Sequence, residues 1–107
     1  MDVMSVNRYE TVTEAVQALK ARGYAIAFEP VHAGLFDPQR GTIVDAPALQ
    51  LVEFHRFEGE TDPDDMAVIY VFEARDGRRG YVIDAYGPYA DPLLGELLTR
   101  LGAGASP

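Results

Sequence analysis

Val12, Ala15, Val16 and Leu19 fall at i, i+3, i+4 and i+7, the stripe of a helix that buries one face. Thr11-Val12-Thr13-Glu14 before it has the form of a capping box, with Thr11 as N-cap and Glu14 reaching back. Lys20 and Arg22 suit the negative end of the helix dipole, and Gly23 is a natural terminating residue. The spacing predicts a helix over 12–22. The period then drops to two. Residues 24–28 alternate large and small side chains and predict a strand ended by Pro30. Gly34, Pro38, Gly41 and Pro47 punctuate the next stretch, where a short strand is expected near Leu35-Phe36 or Thr42-Val44.

Residues 50–58 form the next expected strand, with Val52 and Phe54 on one face and Leu51, His55 and Phe57 on the other. Residues 67–74 are apolar on both faces and predict a central strand covered on both sides. Asp76-Gly77 is a hairpin turn signal, and 81–86 is the return strand. A two-residue loop would set Phe72 opposite Tyr81, Tyr70 opposite Ile83 and Val68 opposite Ala85; a longer loop would slip that register and exchange faces. Asp91-Pro92 supplies an N-cap and an N1 proline for a last helix, striped by Leu93, Leu94, Leu97, Leu98 and Leu101 and ended by Gly102. The order α-β-β-β-β-α predicts an α+β fold: a mainly antiparallel sheet of about four strands, with an N-terminal and a C-terminal helix expected on the same face. At 107 residues the chain is expected to be a single domain, with 1–10 and 103–107 loose.

Composition narrows the partners. A formal net charge of -8 disfavours nucleic acid and anionic membrane, since both would repel the chain. Cysteine is absent, which excludes disulfides, thiolate metal sites and thiol nucleophiles. MDVMSVNRYE lacks an apolar core and predicts no signal peptide, and no apolar run approaches the ~20 residues of a membrane span, so a cytoplasmic protein is expected. A homodimer, or a complex with a protein partner, is compatible with these features.

The hairpin pairing gathers the candidate chemistry. Its open end brings Asp62, Asp64 and Asp65 near Tyr86, Tyr89 and Asp91, with Asp84 one step inside and Arg56 within reach as a neutraliser. Asp62-Pro63-Asp64-Asp65 suits a type I turn, so structure is the leading explanation of this cluster. The sharper alternative is a ligand site on Arg56, Asp62, Asp64, Asp65, Asp84, Tyr86 and Tyr89. In its metal form a hard cation, Mg²⁺ or Ca²⁺, sits on Asp62, Asp64 and Asp65, because converging carboxylates repel unless a positive charge lies between them. Counting from Asp62 mimics an EF-hand at Asp64 and Glu73, but Met66 and Ala67 stand where a ligand and a glycine are needed. Asp84 lies among apolar neighbours and needs a partner: a backbone N–H, Arg56 or a tyrosine hydroxyl. His32 and His55 are far apart in sequence, and no serine is placed as a nucleophile, so no catalytic residue is assigned.

FEGETDPDD at 57–65 and DGRRGYVIDAYGPYA at 76–90 carry a resemblance. There the chain resembles a family of small bacterial proteins whose members often carry the automatic name phosphoribosylpyrophosphate synthetase. The family has no established activity, so the resemblance implies a fold rather than a mechanism. The phosphoribosyl-binding motif of true synthetases is an apolar strand followed by two acids and a Gly/Thr-rich loop. Tyr81-Val82-Ile83-Asp84 imitates its start, but Ala85 stands at the second acid and Pro88 removes a backbone donor. The expected function is a non-enzymatic binding or protein-interaction module. The alternative is a small-ligand or divalent-cation binding protein or enzyme at the hairpin's open end, phosphoribosylpyrophosphate chemistry being one version of it.

Overall fold

Thr11 accepts a hydrogen bond from the Glu14 N–H (3.1 Å) and starts α1, Val12–Ala21. The helix ends in a Schellman arrangement: Tyr24 N–H donates to Leu19 C=O and Gly23 N–H to Lys20 C=O, with Gly23 at φ +97°. The structure, a computed structural model, describes residues 4–5, 9, 11–57, 67–85 and 90–102. The other elements are β1 Met4–Ser5, β2 Ile26–Ala27, β3 Glu29–Val31, β4 Gly34–Asp37, β5 Thr42–Asp45, a 3₁₀ turn Ala46–Ala48, β6 Leu49–Phe57, β7 Ala67–Ala74, β8 Arg79–Ala85 and α2 Pro92–Arg100. Asp91 caps α2 by accepting from Leu93 N–H (2.8 Å), with Pro92 in its first turn.

The mixed α+β arrangement stands, but the four-stranded antiparallel sheet is corrected. Among the described residues β1-β6-β7-β8-β2 form a five-stranded sheet, and β3-β4-β5 form a separate three-stranded one. β6-β7-β8 is the expected antiparallel meander, while β1 and β2 pair in parallel with β6 and β8 at its two edges. Two-residue strands are too short to show a period, and β1 lies in the stretch expected to be loose. In the second sheet, β4 and β5 cover the two places where a short strand was expected, near Leu35-Phe36 and Thr42-Val44, while β3 and the pairing of the three were not expected. Pro30 lies inside β3 rather than ending a strand at 24–28.

The helices lie on opposite faces of the large sheet, not on one. Ala15 and Leu19 of α1 pack with Tyr24, Phe57, Ile69, Val71 and Tyr81. Leu94, Leu97 and Leu98 of α2 pack on the other side with Phe54, Val68, Tyr70, Phe72 and Val82, joined by Phe28, Leu35 and Val44 of the small-sheet region. β7 is therefore central and apolar on both sides, as its composition demands. Each such buried large side chain contributes about 1.5–3 kcal/mol. Most of the leucine stripe of α2 is spent inside this core.

Two registers differ from expectation. The β7–β8 turn has three residues, Arg75-Asp76-Gly77, closed by Ala74 N–H donating to Arg78 C=O (2.7 Å), with Gly77 at φ +96°. The pairing slips by one: Phe72 faces Gly80, Tyr70 faces Val82 and Val68 faces Asp84. A glycine in the left-handed region at the third position favours this turn over the two-residue one. In β6, a bulge between Leu51 and Glu53 reverses the alternation. Leu49 and Leu51 face the α2 side, as does Phe54, whereas Val52 and Phe57 join the α1 cluster.

Candidate functional site

Of the seven candidate residues, Asp62, Asp64, Asp65, Tyr86 and Tyr89 lie outside the described residues, so the carboxylate cluster on 62–65 does too. The register places the other two, Arg56 and Asp84, on either side of Val68 in one row across three strands. The next row holds Phe54, Tyr70 and Val82. The Arg56 guanidinium lies 5.9 Å from the Phe54 ring centroid, and the rings of Phe54 and Tyr70 are 6.3 Å apart. The Tyr70 hydroxyl is pushed up to about 12, first by burial and then by the nearby Asp84 charge, with Arg56 acting in the opposite direction.

Asp84 satisfies itself on backbone. Its carboxylate accepts from Ala85 N–H (2.9 Å) and from Asp91 N–H (3.1 and 3.2 Å to its two oxygens). Asp91 in turn caps α2, so Asp84 ties the end of the central meander to the start of the helix. Burial raises the Asp84 pKa, partly offset by these N–H donors, and the Asp91 charge raises it further. Asp84→Ala is expected to cost about 1–3 kcal/mol, because the Asp91 amide loses its acceptor. Asp84→Asn should cost less, since one oxygen already accepts from both amides. Urea unfolding of both variants checks this, and an alanine variant as stable as the parent would remove Asp84 as a tether.

The more complete polar constellation lies on the α1 face, and sequence reasoning missed it. Glu53 and His55, two apart in β6, share a side, and the bulge before them turns that side to α1. Arg22, the C-cap of α1, donates to both Glu53 oxygens (3.1 and 2.7 Å). His55 Nε2 lies 2.6 Å from Glu53 Oε2, and the His55 ring is 0% exposed. The Tyr9 ring lies 5.2 Å from the imidazole, tilted by 58°. The Arg22 hydrogen bonds hold Glu53 below the usual carboxylate range against the cost of burial, with His55 adding to the effect. A second chain continues it: Tyr24 donates to Glu73 (3.1 Å), Arg79 pairs with Glu73 (3.1 Å), and both Arg22 and Arg79 lie over the Tyr24 ring. The signal was Glu-x-His in a strand with an arginine at a helix end; without the bulge, parity grouped His55 with Leu51.

A third constellation joins the two sheets. Asp37, 0% exposed, accepts from Gln39 and Arg40 N–H (2.9 and 3.3 Å) and from Arg78 Nη1 (3.2 Å). Burial raises its pKa, but Arg78 and the two amides outweigh that and leave it lowered. Arg78 also donates to Thr42 Oγ1 (2.9 Å) and chelates Asp76.

These arrangements orient, saturate and bury charge. Among the described residues, no three His, Cys, Asp or Glu gather as a set of metal ligands, and no helix is long and apolar enough to cross a membrane. Two open grooves lie by the β7–β8 turn, one beside β5 and one beside the 3₁₀ turn and the start of β6. The larger, about 360 Å³, is lined by Ile43, Val44, Asp45, Ala48, Arg75, Asp76 and Arg78. Compared with family models, curated proteins and solved structures, the chain finds no match.

Proposed function

We propose that this chain is a non-enzymatic binding module that acts through protein–protein contact. The observation that carries the proposal is where its buried and half-buried charges go. Asp37, Glu53 and Asp84 each end on an arginine or a backbone N–H that belongs to another element. Such pairs fasten a scaffold, and a reacting carboxylate would need one face open to a substrate. Ile43, by contrast, is 54% exposed beside an open groove, and that groove is where the contact is proposed.

The second reading is a small-ligand or divalent-cation site at the hairpin's open end, including phosphoribosylpyrophosphate chemistry. It draws on the Arg56–Val68–Asp84 row and the raised Asp84 pKa. The resemblance on 57–65 and 76–90 adds a fold expectation to either reading. A thermal-shift panel of Mg²⁺, Ca²⁺, ribose 5-phosphate and phosphoribosyl pyrophosphate separates them. Saturation at ~100 Kd contributes about 2.7 kcal/mol, roughly 10 °C or more for a domain this size. The expected result is an unchanged melting temperature with all four compounds; a rise of that order with any one replaces the module reading with the second.

A further inference from the structure

We infer that the open edge of β5 receives an extended, acid-bearing segment of a partner protein as an added strand, an inference that rests on the module reading above. The hydrogen-bond phase of the small sheet shows which backbone groups are available. Ala46 N–H donates to Ala33 C=O (3.0 Å), and the register continues as Gly34↔Asp45, Leu35↔Val44, Phe36↔Ile43 and Asp37↔Thr42. Bonded and non-bonded pairs alternate in an antiparallel ladder. Val44 and Thr42 therefore bond β4, while the N–H and C=O groups of Ile43 and Asp45 point away from it. Asp45 C=O accepts the first bond of the 3₁₀ turn that it caps, and among the described residues no backbone group meets the other three, Ile43 N–H and C=O and Asp45 N–H.

The opposite edge is closed. Pro30 of β3 faces Leu35, whose own groups are turned toward Val44. Pro30 thus occupies an outward position and offers no N–H there. β3 also packs against α2. One edge is blocked by a proline, then, while β5 presents two outward residues to an added strand.

The groove beside β5 specifies the occupant. Ile43, Val44 and Ala48 give it apolar surface, the exposed Asp45 adds one acid from β5, and Arg75, Asp76 and Arg78 line it from the β7–β8 turn. Asp76 is neutralised by Arg78, and Arg78 is also committed to Asp37 and Thr42. Arg75 is different: among the described residues its guanidinium donates only one long bond, 3.4 Å to Pro47 C=O. Arg40, Arg75, Arg78 and Arg79 stand in or beside the two turns at this corner and balance Asp37, Asp45, Glu73 and Asp76, so the corner is neutral in a chain with net charge -8. An acidic side chain on the added strand meets Arg75 here, whereas the chain's overall charge would repel it.

The test uses the full ¹⁵N-labelled chain and three capped peptides: Glu-Val-Thr-Val-Glu, the same with lysine for glutamate, and the first with alternate backbone nitrogens methylated. The acidic peptide is expected to shift the Ile43 and Asp45 amides and slow their exchange. The lysine peptide should bind at least tenfold more weakly, and the methylated one should leave both amides unmoved. Asp45 already has φ -72° and an outward N–H, so Asp45→Pro fits the fold, removes one edge donor and should weaken the acidic peptide at least tenfold. Should that variant unfold, Arg75→Ala gives an independent reading: it should reduce the glutamate-over-lysine preference to near unity. Ile43 and Asp45 amides unmoved by millimolar acidic peptide overturn the inference, as does a folded Asp45→Pro that binds equally well. Either result leaves the module reading in place; only stabilisation by the metal or phosphoribosyl compounds removes that.

Discussion

Gly80→Ala is expected to destabilise the chain by about 3 kcal/mol, lowering its melting temperature by roughly 12–24 °C. Gly80 is buried in β8 where β2 pairs in parallel, Ile26 opposite Gly80. A Cβ built there lies 2.1 Å from the Ile26 carbonyl oxygen and 2.7–2.8 Å from the Phe28 ring. The oxygen belongs to backbone and cannot swing aside, and Phe28 is held by its N–H bond to Tyr81 C=O (3.0 Å). Accommodating the methyl group means peeling β2 from the sheet and displacing a core ring. Gly95 provides the control. It is exposed in α2 with nothing within 4 Å of its built Cβ, so Gly95→Ala should gain up to ~1 kcal/mol from helix propensity alone. Calorimetry of the two variants decides the matter, and a Gly80→Ala melting point within 3 °C of the parent would show that β2 does not bear on β8 as described.

Glu53→Ala should cost about 2–3 kcal/mol. Arg22 is 37% exposed at its side chain and regains water, which discounts its share. The larger part falls on the core, where the buried His55 loses the carboxylate 2.6 Å from its Nε2. The effect has a pH signature. Glu53 is held below its ordinary range, chiefly by Arg22. A folded-state pKa lower than the unfolded one contributes stability that is present above the unfolded value, about 4.3, and lost as pH falls through the folded value. The stability gap between parent and Glu53→Ala should thus be widest near neutrality and shrink as pH drops below ~4. Urea unfolding at pH 7 and pH 3 measures both gaps; a gap that is unchanged or wider at pH 3 would contradict the Arg22–Glu53 pairing.

Much of the scaffold was legible because it is written in local signals. The Thr11 cap, the Gly23 stop, the Asp91-Pro92 start and the doubly apolar run of β7 each rest on a few neighbouring residues, and each stands where it was expected. What escaped depends on residues distant in sequence. β1 and β2 exist because β6 and β8 offer them edges, and a dipeptide has no periodicity of its own. The small sheet is read only when Gly34 is seen as a place where the Val44 carbonyl oxygen approaches, 2.2 Å from a built Cβ, rather than as a loop marker. Of the expected site, Arg56 and Asp84 come into one row because the three-residue turn slips Asp84 opposite Val68, which Arg56 faces from β6. The Arg22–Glu53–His55 cluster was hidden because one extra residue in β6 changed which positions face together.

That extra residue works like a frameshift. Upstream of Val52 the odd positions of β6 are read by the α2 core; downstream the odd positions are read by the α1 core. Nine consecutive residues thereby answer to two sets of constraints, each with its own phase. A leucine suits position 51, yet two places on, with the same parity, position 53 requires a carboxylate. Tolerance to substitution in this strand is accordingly set by which side of the bulge a residue occupies, and a variant library ordered by simple alternation would sort its members into the wrong classes at every position past Val52.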